Sequence, residues 1–310
     1  MNNFTYSVPT KIHFGKGQIS HLYELSESGN KVLLCYGGGS IKKAGIYDEA
    51  VKILKEEDIE IFELSGIAPN PKIESVREGV KLCKENDIDM VLAIGGGSVI
   101  DCAKVVAAGA CYDGDPWDLV ITPRWIKKAL PIYSVLTLSA TGSEMDPFAV
   151  ISDMSKNEKW GTASEHMKPK MSILDPEYTY SVSKKQTAAG TADMISHICE
   201  NYFTNVKNAD VQARFAEGLL KNCFKYGPIA LEEPDNYDAR ANLMWTASMA
   251  INGILSDGAE VSWCVHPMEH ELSAFYDITH GEGLAILTPH WMDFALNDDT
   301  ASKFVDYARN

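Results

Sequence analysis

Positive charge, long hydrophobic runs and paired cysteines are all scarce or absent in this 310-residue chain. Asp and Glu number 43 against 28 Lys and Arg, which gives a formal net charge of −15 at pH 7. A chain this acidic repels phosphate backbones and anionic membranes, so we expect neither a nucleic-acid partner nor a membrane-surface partner. No apolar run approaches the roughly 18 residues that a membrane-spanning helix needs.

The seven cysteines are scattered and include no CxxC pair. An odd number of isolated cysteines is typical of free thiols in a reducing compartment, and it argues against a structural zinc finger. The opening stretch MNNFTYSVPTKIHFGKG lacks the basic start and apolar run of a secretory signal. We therefore expect a cytoplasmic protein.

The first half of the chain alternates strand-like and helix-like segments. The predicted strands lie at 31–36, 59–64, 89–94 and 131–138. Strands that alternate with helices predict a parallel sheet with helices on both faces. From about residue 183 the segments become long and helix-rich. The sequence thus predicts an α/β domain over 1–182 and an all-helical domain over 183–310.

Two copies of the tetrapeptide GGGS each follow a predicted strand. The second copy, Gly95–Ser98, opens a helix whose free amides and positive dipole end suit a pyrophosphate, although an ordinary tight turn is the alternative. Its spacing differs from GxGxxG because Ile100 stands where the last glycine would be. The first copy, Gly37–Ser40, precedes Lys42 and Lys43 with no carboxylate nearby in the sequence, which favours NADP over NAD.

Small polar residues follow the strand predicted at 131–138. Thr137, Thr141 and Ser143 carry hydroxyls in the stretch TLSATGSEMDPF. Loops at the carboxyl ends of parallel strands are where such sheets bind ligands, so these hydroxyls are candidate contacts to a nucleotide.

Histidines and one aspartate recur at helical spacing in the second half. Asp193 and His197 stand four residues apart in TADMISHICE, and His266 and His270 repeat that spacing before His280. Side chains four apart lie on one helix face. Each pair alone also fits an ordinary surface or core pair, but one carboxylate with three or four imidazoles suits a divalent Zn, Fe, Ni or Co ion. An open position on that ion would make it a Lewis acid.

Six ordered motifs resemble the iron-containing (group III) alcohol dehydrogenases, especially the NADPH-dependent butanol dehydrogenases, over the whole chain. They are FGKG (14–17), YGGGSIKKAGIYD (36–48), AIGGGSVIDCAK (93–104), SATGSEMD (139–146), AAGTADMISH (188–197) and HPMEHELSAFYDITHGEGLAI (266–286). The resemblance implies a dinucleotide-binding domain followed by a metal-binding catalytic domain. It also implies a cofactor, NADP with NAD as the alternative, a divalent Fe or Zn ion, and a homodimer.

The resemblance also implies roles for individual residues. The metal ligands would be Asp193, His197, His266 and His280, with His270 beside the nicotinamide and not a ligand. On the mechanism that follows, we expect the product oxygen to receive its proton through water and His270. The cofactor-binding residues would be Gly38, Ser40, Asn70, Gly96, Gly97, Ser98, Asp101, Thr137, Thr141, Asp146 and Lys159. Many relatives carry Asn at the position of Asp146.

The implied reaction interconverts primary alcohols such as butanol and their aldehydes with NAD(P)H. Two alternatives stay open: a glycerol or polyol dehydrogenase or a dehydroquinate synthase of related architecture, and a nucleotide-binding remnant without catalysis. The second arises because relatives continue for several helices beyond a segment like NDDTASKFVDYARN, so we expect a C-terminally shortened helical domain with exposed apolar surface.

Overall fold

The computed structural model describes residues 1–204, 206–261 and 263–309. In these ranges the chain forms eight strands, a set of α-helices and short 3-10 helices. The strands are β1 (Lys11–Phe14), β2 (Lys31–Tyr36), β3 (Glu60–Leu64), β4 (Met90–Gly95), β5 (Ile132–Leu136), β6 (Phe148–Asp153), β7 (Glu158–Ala163) and β8 (Met171–Leu174).

The helices change in length between the two halves of the chain. The first five are α1 (Ser40–Lys43), α2 (Ile46–Glu56), α3 (Ile73–Asn86), α4 (Gly97–Ala110) and α5 (Pro116–Ile121). The later ones are α6 (Lys184–Tyr202), α7 (Asp210–Glu232), α8 (Tyr237–Ile251), α9 (Val265–Tyr276), α10 (His280–Ala295) and α11 (Ala301–Arg309). The 3-10 helices are Gln18–Ser28, Pro123–Trp125, Glu165–Met167 and Pro176–Thr179.

The chain divides into two compact units. The α/β unit comprises residues 8–138 and 143–181, and the helical unit comprises 1–7, 139–142 and 182–310. The sequence placed the boundary after residue 182, and the helical unit resumes at Val182. Two short segments, 1–7 and 139–142, belong to the helical unit although the sequence assigned them to the α/β domain.

The α/β unit is built on a parallel six-stranded sheet in the order β1-β8-β5-β4-β2-β3. Successive side chains of β2 and β4 point to opposite faces, yet Leu33 and Leu34, like Val91 and Leu92, are all fully buried. Both sheet faces are therefore covered, as the predicted strand–helix alternation requires. This confirms the fold class predicted for the first half. The strands β1 and β8 and the antiparallel hairpin β6-β7 were not predicted.

The helical unit packs its long helices around an apolar core of its own. That core includes Met194 and Ile198 from α6, Leu220 from α7 and Leu243 from α8, all buried. The segment 139–142 joins this unit through close backbone approach. A Cβ on Gly190 would stand 2.5 Å from the carbonyl oxygen of Ser139, so only glycine admits that segment against α6.

Candidate metal centre and cofactor-binding turns

Three helices of the helical unit supply the predicted metal ligands. Asp193 and His197 lie one turn apart on α6, which begins where the Ser183 hydroxyl accepts the amide of Gln186 at 3.3 Å. His266 is the second residue of α9, and His280 is the first residue of α10. The structure thus brings together four residues that are up to 87 positions apart in the sequence.

The imidazoles converge on a single carboxylate oxygen. From Asp193 Oδ1, the Nε2 atoms of His197 and His266 each lie 3.6 Å away, and that of His280 lies 3.8 Å away. The rings of His197 and His266 stack at a centroid distance of 4.5 Å. Ligand atoms of Asp193, His266 and His280 all lie within 4.8 Å of one another.

Two buried glutamates fix the orientation of the histidine rings. Glu200 Oε2 bonds Nδ1 of His266, and Glu269 Oε2 bonds Nδ1 of His280. Glu200 Oε1 also accepts the backbone amide of Val265 at 2.7 Å, at the start of α9. A ring that donates its Nδ1 proton to a carboxylate presents the lone pair of Nε2, which is how metal-binding histidines are held.

The pKa values follow from this arrangement. Burial alone would raise the pKa of Asp193, but the charge of His197 and the approach of the other two rings hold it well below its usual range. Burial lowers the pKa of His197 to about 4, against the attraction of Asp193. His266 is equally buried, yet the carboxylates of Asp193 and Glu200 raise its pKa to about 9. A proton on His266 therefore competes with a metal ion, so the affinity for the metal should decrease as the pH is lowered.

A divalent ion fits the residues present. Asp193 Oδ1 and His266 Nε2 are buried, and within the described ranges neither atom makes a hydrogen bond. Leaving buried polar atoms unpaired is costly unless a further group occupies the space between them. One carboxylate oxygen and three imidazole nitrogens are ligands that Fe²⁺ and Zn²⁺ accept.

His270 lies on α9, one turn after His266 and directly after Glu269. Its ring is 5.7 Å from the ring of His280, and it is half-buried. The structure therefore places His270 beside the ligand cluster.

The two glycine turns lie at neighbouring strand ends in the α/β unit. Strands β2 and β4 are hydrogen-bonded neighbours, with Tyr36 opposite Ile94, so the turns that follow them share one edge of the sheet. The second turn opens α4, whose N-terminal residues include Gly97 and Ser98. At Gly38 a Cβ would meet no protein atom within 4 Å, so room for a ligand accounts for glycine there better than packing does.

The predicted cofactor residues Asp101 and Asp146 are both engaged by other protein groups. Asp101 accepts the Ser143 hydroxyl at 2.6 Å and the Val150 amide at 2.9 Å. Asp146 Oδ1 accepts Nζ of the fully buried Lys104 at 2.8 Å. Burial nonetheless raises the pKa of Asp146 to about 7. Both carboxylates tie the start of the β6-β7 hairpin to α4.

The remaining predicted cofactor residues lie in three places. Lys159 on β7 donates to Asn70 Oδ1 at 3.1 Å, and both residues are buried. Thr137 follows β5, and its amide donates to the Gly95 carbonyl at 3.0 Å, beside the second glycine turn. Thr141 belongs to the helical unit.

Three acidic residues of these sites were missed from the sequence. Glu200 and Glu269 each follow a predicted histidine ligand by three positions, a spacing that places them on the same helix face and could have indicated them. Glu63 is distant in sequence from the first glycine turn, but Gly66, in the loop after β3, donates its amide to the Gly37 carbonyl at 3.2 Å. Glu63 Oε2 lies 3.7 Å from Nζ of Lys42, so a carboxylate stands near that turn in space although none is near it in the sequence.

A sheet with two glycine turns, and a helical unit with one aspartate among three histidines, define a nucleotide-linked metal enzyme. The family model described as iron-containing alcohol dehydrogenase matches residues 9–176, and the model of that family's C-terminal domain matches residues 187–310. The chain belongs to the iron-containing alcohol dehydrogenase family. This confirms the resemblance, and with it an NAD(P)H-linked alcohol dehydrogenase or aldehyde reductase.

Relatives and solved structures agree with this assignment. NADH-dependent butanol dehydrogenase A of Clostridium acetobutylicum is 60% identical over all of this chain and 80% of its own length. The NADPH-dependent aldehyde reductase YqhD of Escherichia coli is 43% identical over 99% of this chain and 80% of its own. The crystal structure of NADH-dependent butanol dehydrogenase A of Thermotoga maritima matches with a TM-score of 0.92 and 47% identity, over 95% of this chain and 74% of its own.

These relatives do not favour the two alternatives that the sequence left open, a polyol dehydrogenase and a nucleotide-binding remnant without catalysis.

Proposed function

We propose that this chain reduces straight-chain aldehydes such as butanal to primary alcohols, reversibly, at a metal ion held by Asp193, His197, His266 and His280. The observation that carries the proposal is the convergence of three Nε2 atoms on Asp193 Oδ1. A divalent metal at this point would polarise a carbonyl oxygen as a Lewis acid. Glu200 and Glu269 keep the ligand rings in the orientation that this requires.

His270 is proposed as the group that passes a proton to the product oxygen. It lies beside His280 and is half-buried, so water can exchange protons with its ring. His270→Phe should slow butanal reduction at neutral pH and change the pH profile of kcat. A profile identical to that of the unmodified chain would contradict this role.

We propose NADH as the preferred cofactor, in place of the NADP that the sequence favoured. Lys42, which follows the first glycine turn, lies 4.3 Å above the Tyr47 ring centroid and 3.7 Å from Glu63 Oε2. Glu63 also accepts hydrogen bonds from the hydroxyls of Tyr36 and Tyr47, both at 2.5 Å. Burial would raise the pKa of Glu63, but these hydrogen bonds and the charge of Lys42 outweigh burial and lower it. An ionised carboxylate here offsets the lysine charge and disfavours a 2′-phosphate. The Clostridium and Thermotoga relatives are named as NADH-dependent.

The cofactor proposal is tested by Glu63→Gln. Removing the carboxylate charge should favour NADPH. The kcat/KM for NADPH divided by the kcat/KM for NADH should rise about tenfold, which corresponds to about 1.4 kcal/mol. Glu60→Gln is the matched control, since Glu60 is exposed on the same strand. An unchanged ratio in the Glu63 variant would contradict the assignment.

The proposed reaction itself is tested by NADH oxidation with butanal. Protein prepared without oxygen and loaded with ferrous ion should oxidise NADH in the presence of butanal, and chelation should abolish the rate. In the reverse direction, butanol should be preferred over glycerol. Folded, metal-loaded protein that is inactive with butanal would contradict the proposal.

Homodimer formation and a cytoplasmic location remain part of the proposal. In the described ranges no helix is both long enough and apolar enough to cross a membrane. All seven cysteines are free, in keeping with a reducing compartment. Light scattering should give the mass of a dimer, and a monomeric mass would contradict that part.

A further inference from the structure

The α/β unit carries a second group of metal-ligating side chains that the proposed reaction does not use. His13 lies on β1, and His21 and Glu24 lie on the 3-10 helix Gln18–Ser28. One ligand atom from each residue lies within 4.8 Å of the other two. We propose that these three residues form a second site for a divalent transition-metal ion such as Zn²⁺.

The geometry resembles that of ligands gathered around a common point. Glu24 Oε1 lies 3.0 Å from Nε2 of His13 and 3.2 Å from Nδ1 of His21. The two rings stack at a centroid distance of 3.6 Å with only 10° between their planes. Both rings thus bring a nitrogen close to the same carboxylate oxygen.

The hydrogen bonds of this group leave a ligand atom unused. His13 Nε2 is buried, and despite its short distance to Glu24 it makes no aligned hydrogen bond in the part of the chain that the structure describes. The other oxygen, Glu24 Oε2, accepts Lys11 Nζ at 2.7 Å, so Oε1 is the oxygen that faces the imidazoles. Two imidazole nitrogens and one carboxylate oxygen are a ligand set that Zn²⁺ accepts, with water completing the shell.

The location indicates what such an ion would do. Strand β1 is the outermost strand of the parallel sheet, and it pairs only with β8 in the described sheet. An ion shared by His13, His21 and Glu24 would join this edge strand to the helix that follows it. The site would stabilise the folded chain, because an ion that binds only the folded state raises its stability.

The test counts bound Zn²⁺ by titration calorimetry in the Asp193→Asn background, which weakens the site of the helical unit by removing its carboxylate ligand. The Asp193→Asn chain should bind one Zn²⁺ with micromolar or tighter affinity, and its melting temperature should rise with Zn²⁺ and fall with chelator. Adding His21→Gln or Glu24→Gln should weaken binding at least tenfold, whereas His166→Gln, at an exposed histidine of the same unit, should not.

Further outcomes distinguish this site from the catalytic one. His21→Gln alone should keep the rate of butanal reduction, since its side chain takes no part in that site. Lys11→Met should tighten Zn²⁺ binding because it removes a cation from Glu24. No binding in the Asp193→Asn chain, or binding that His21→Gln and Glu24→Gln leave unchanged, would overturn the proposal without touching the proposed reaction.

Discussion

At the scale of single residues, the helical unit depends on carboxylates that hold histidines in place. Glu269 is fully buried, bonds Nδ1 of His280 and accepts the Ser273 hydroxyl. These two partners offset the cost of burying its charge. In the proposed site, Glu269 would act on the metal through His280.

Glu269→Gln should weaken metal binding by about 10- to 100-fold, because an amide orients the His280 ring less well and lowers its basicity. Glu271→Gln is the control, since Glu271 is exposed two residues further along α9. Competition with a chromogenic chelator measures both affinities. Equal affinities in the two variants would show that Glu269 does not position the ligand.

At the scale of elements, the site depends on how closely α10 approaches α6. A Cβ on Gly281, the residue after His280, would stand 2.0 Å from the carbonyl oxygen of Ala189. That oxygen belongs to the backbone of α6 and cannot move aside cheaply. The glycine therefore lets α10 begin where His280 can face Asp193.

Gly281→Ala should lower the free energy of unfolding by about 1–3 kcal/mol, as overpacking does, and should lower metal affinity as well. Gly218→Ala on α7 is the control, because a Cβ there meets no atom within 4 Å and alanine favours the helix by about 0.5–1 kcal/mol. Urea unfolding measures both changes. A Gly281 variant as stable as the unmodified chain would contradict the argument from close packing.

Sequence patterns were sufficient for elements that have a clear period and a buried face. The predicted strand 31–36 coincides with β2, and the helix-rich segments from 183 onward correspond to α6, α7 and α8. The strands β1 and β8 were missed because each has only four residues, too few to show a period.

The candidate site could be predicted only where its residues share a local sequence spacing. Ligands at helical spacing, such as Asp193 and His197, are visible in the sequence. Partners joined by tertiary packing are not: Glu200 orients His266 across 66 positions, and Glu63 reaches the first glycine turn from the neighbouring strand.

At the scale of the whole molecule, the two units carry different parts of the chemistry. The α/β unit presents its glycine turns at the ends of neighbouring parallel strands, and the helical unit gathers the residues that we propose as metal ligands. The helical unit also exposes large apolar side chains on α9 and α10. They are Phe275, Tyr276, Ile286 and Phe294. Exposed apolar surface of this kind favours association with other apolar surfaces.

The most direct test of the account is the metal content of the purified chain after loading with ferrous ion and removal of excess metal. Asp193→Asn and His280→Gln should each lose one equivalent of bound iron, together with NADH-dependent butanal reduction. His290→Gln, at an exposed histidine on the same helix as His280, should keep both. An Asp193→Asn chain that retains its iron and its rate would contradict the central claim that this aspartate and the three histidines hold the catalytic metal.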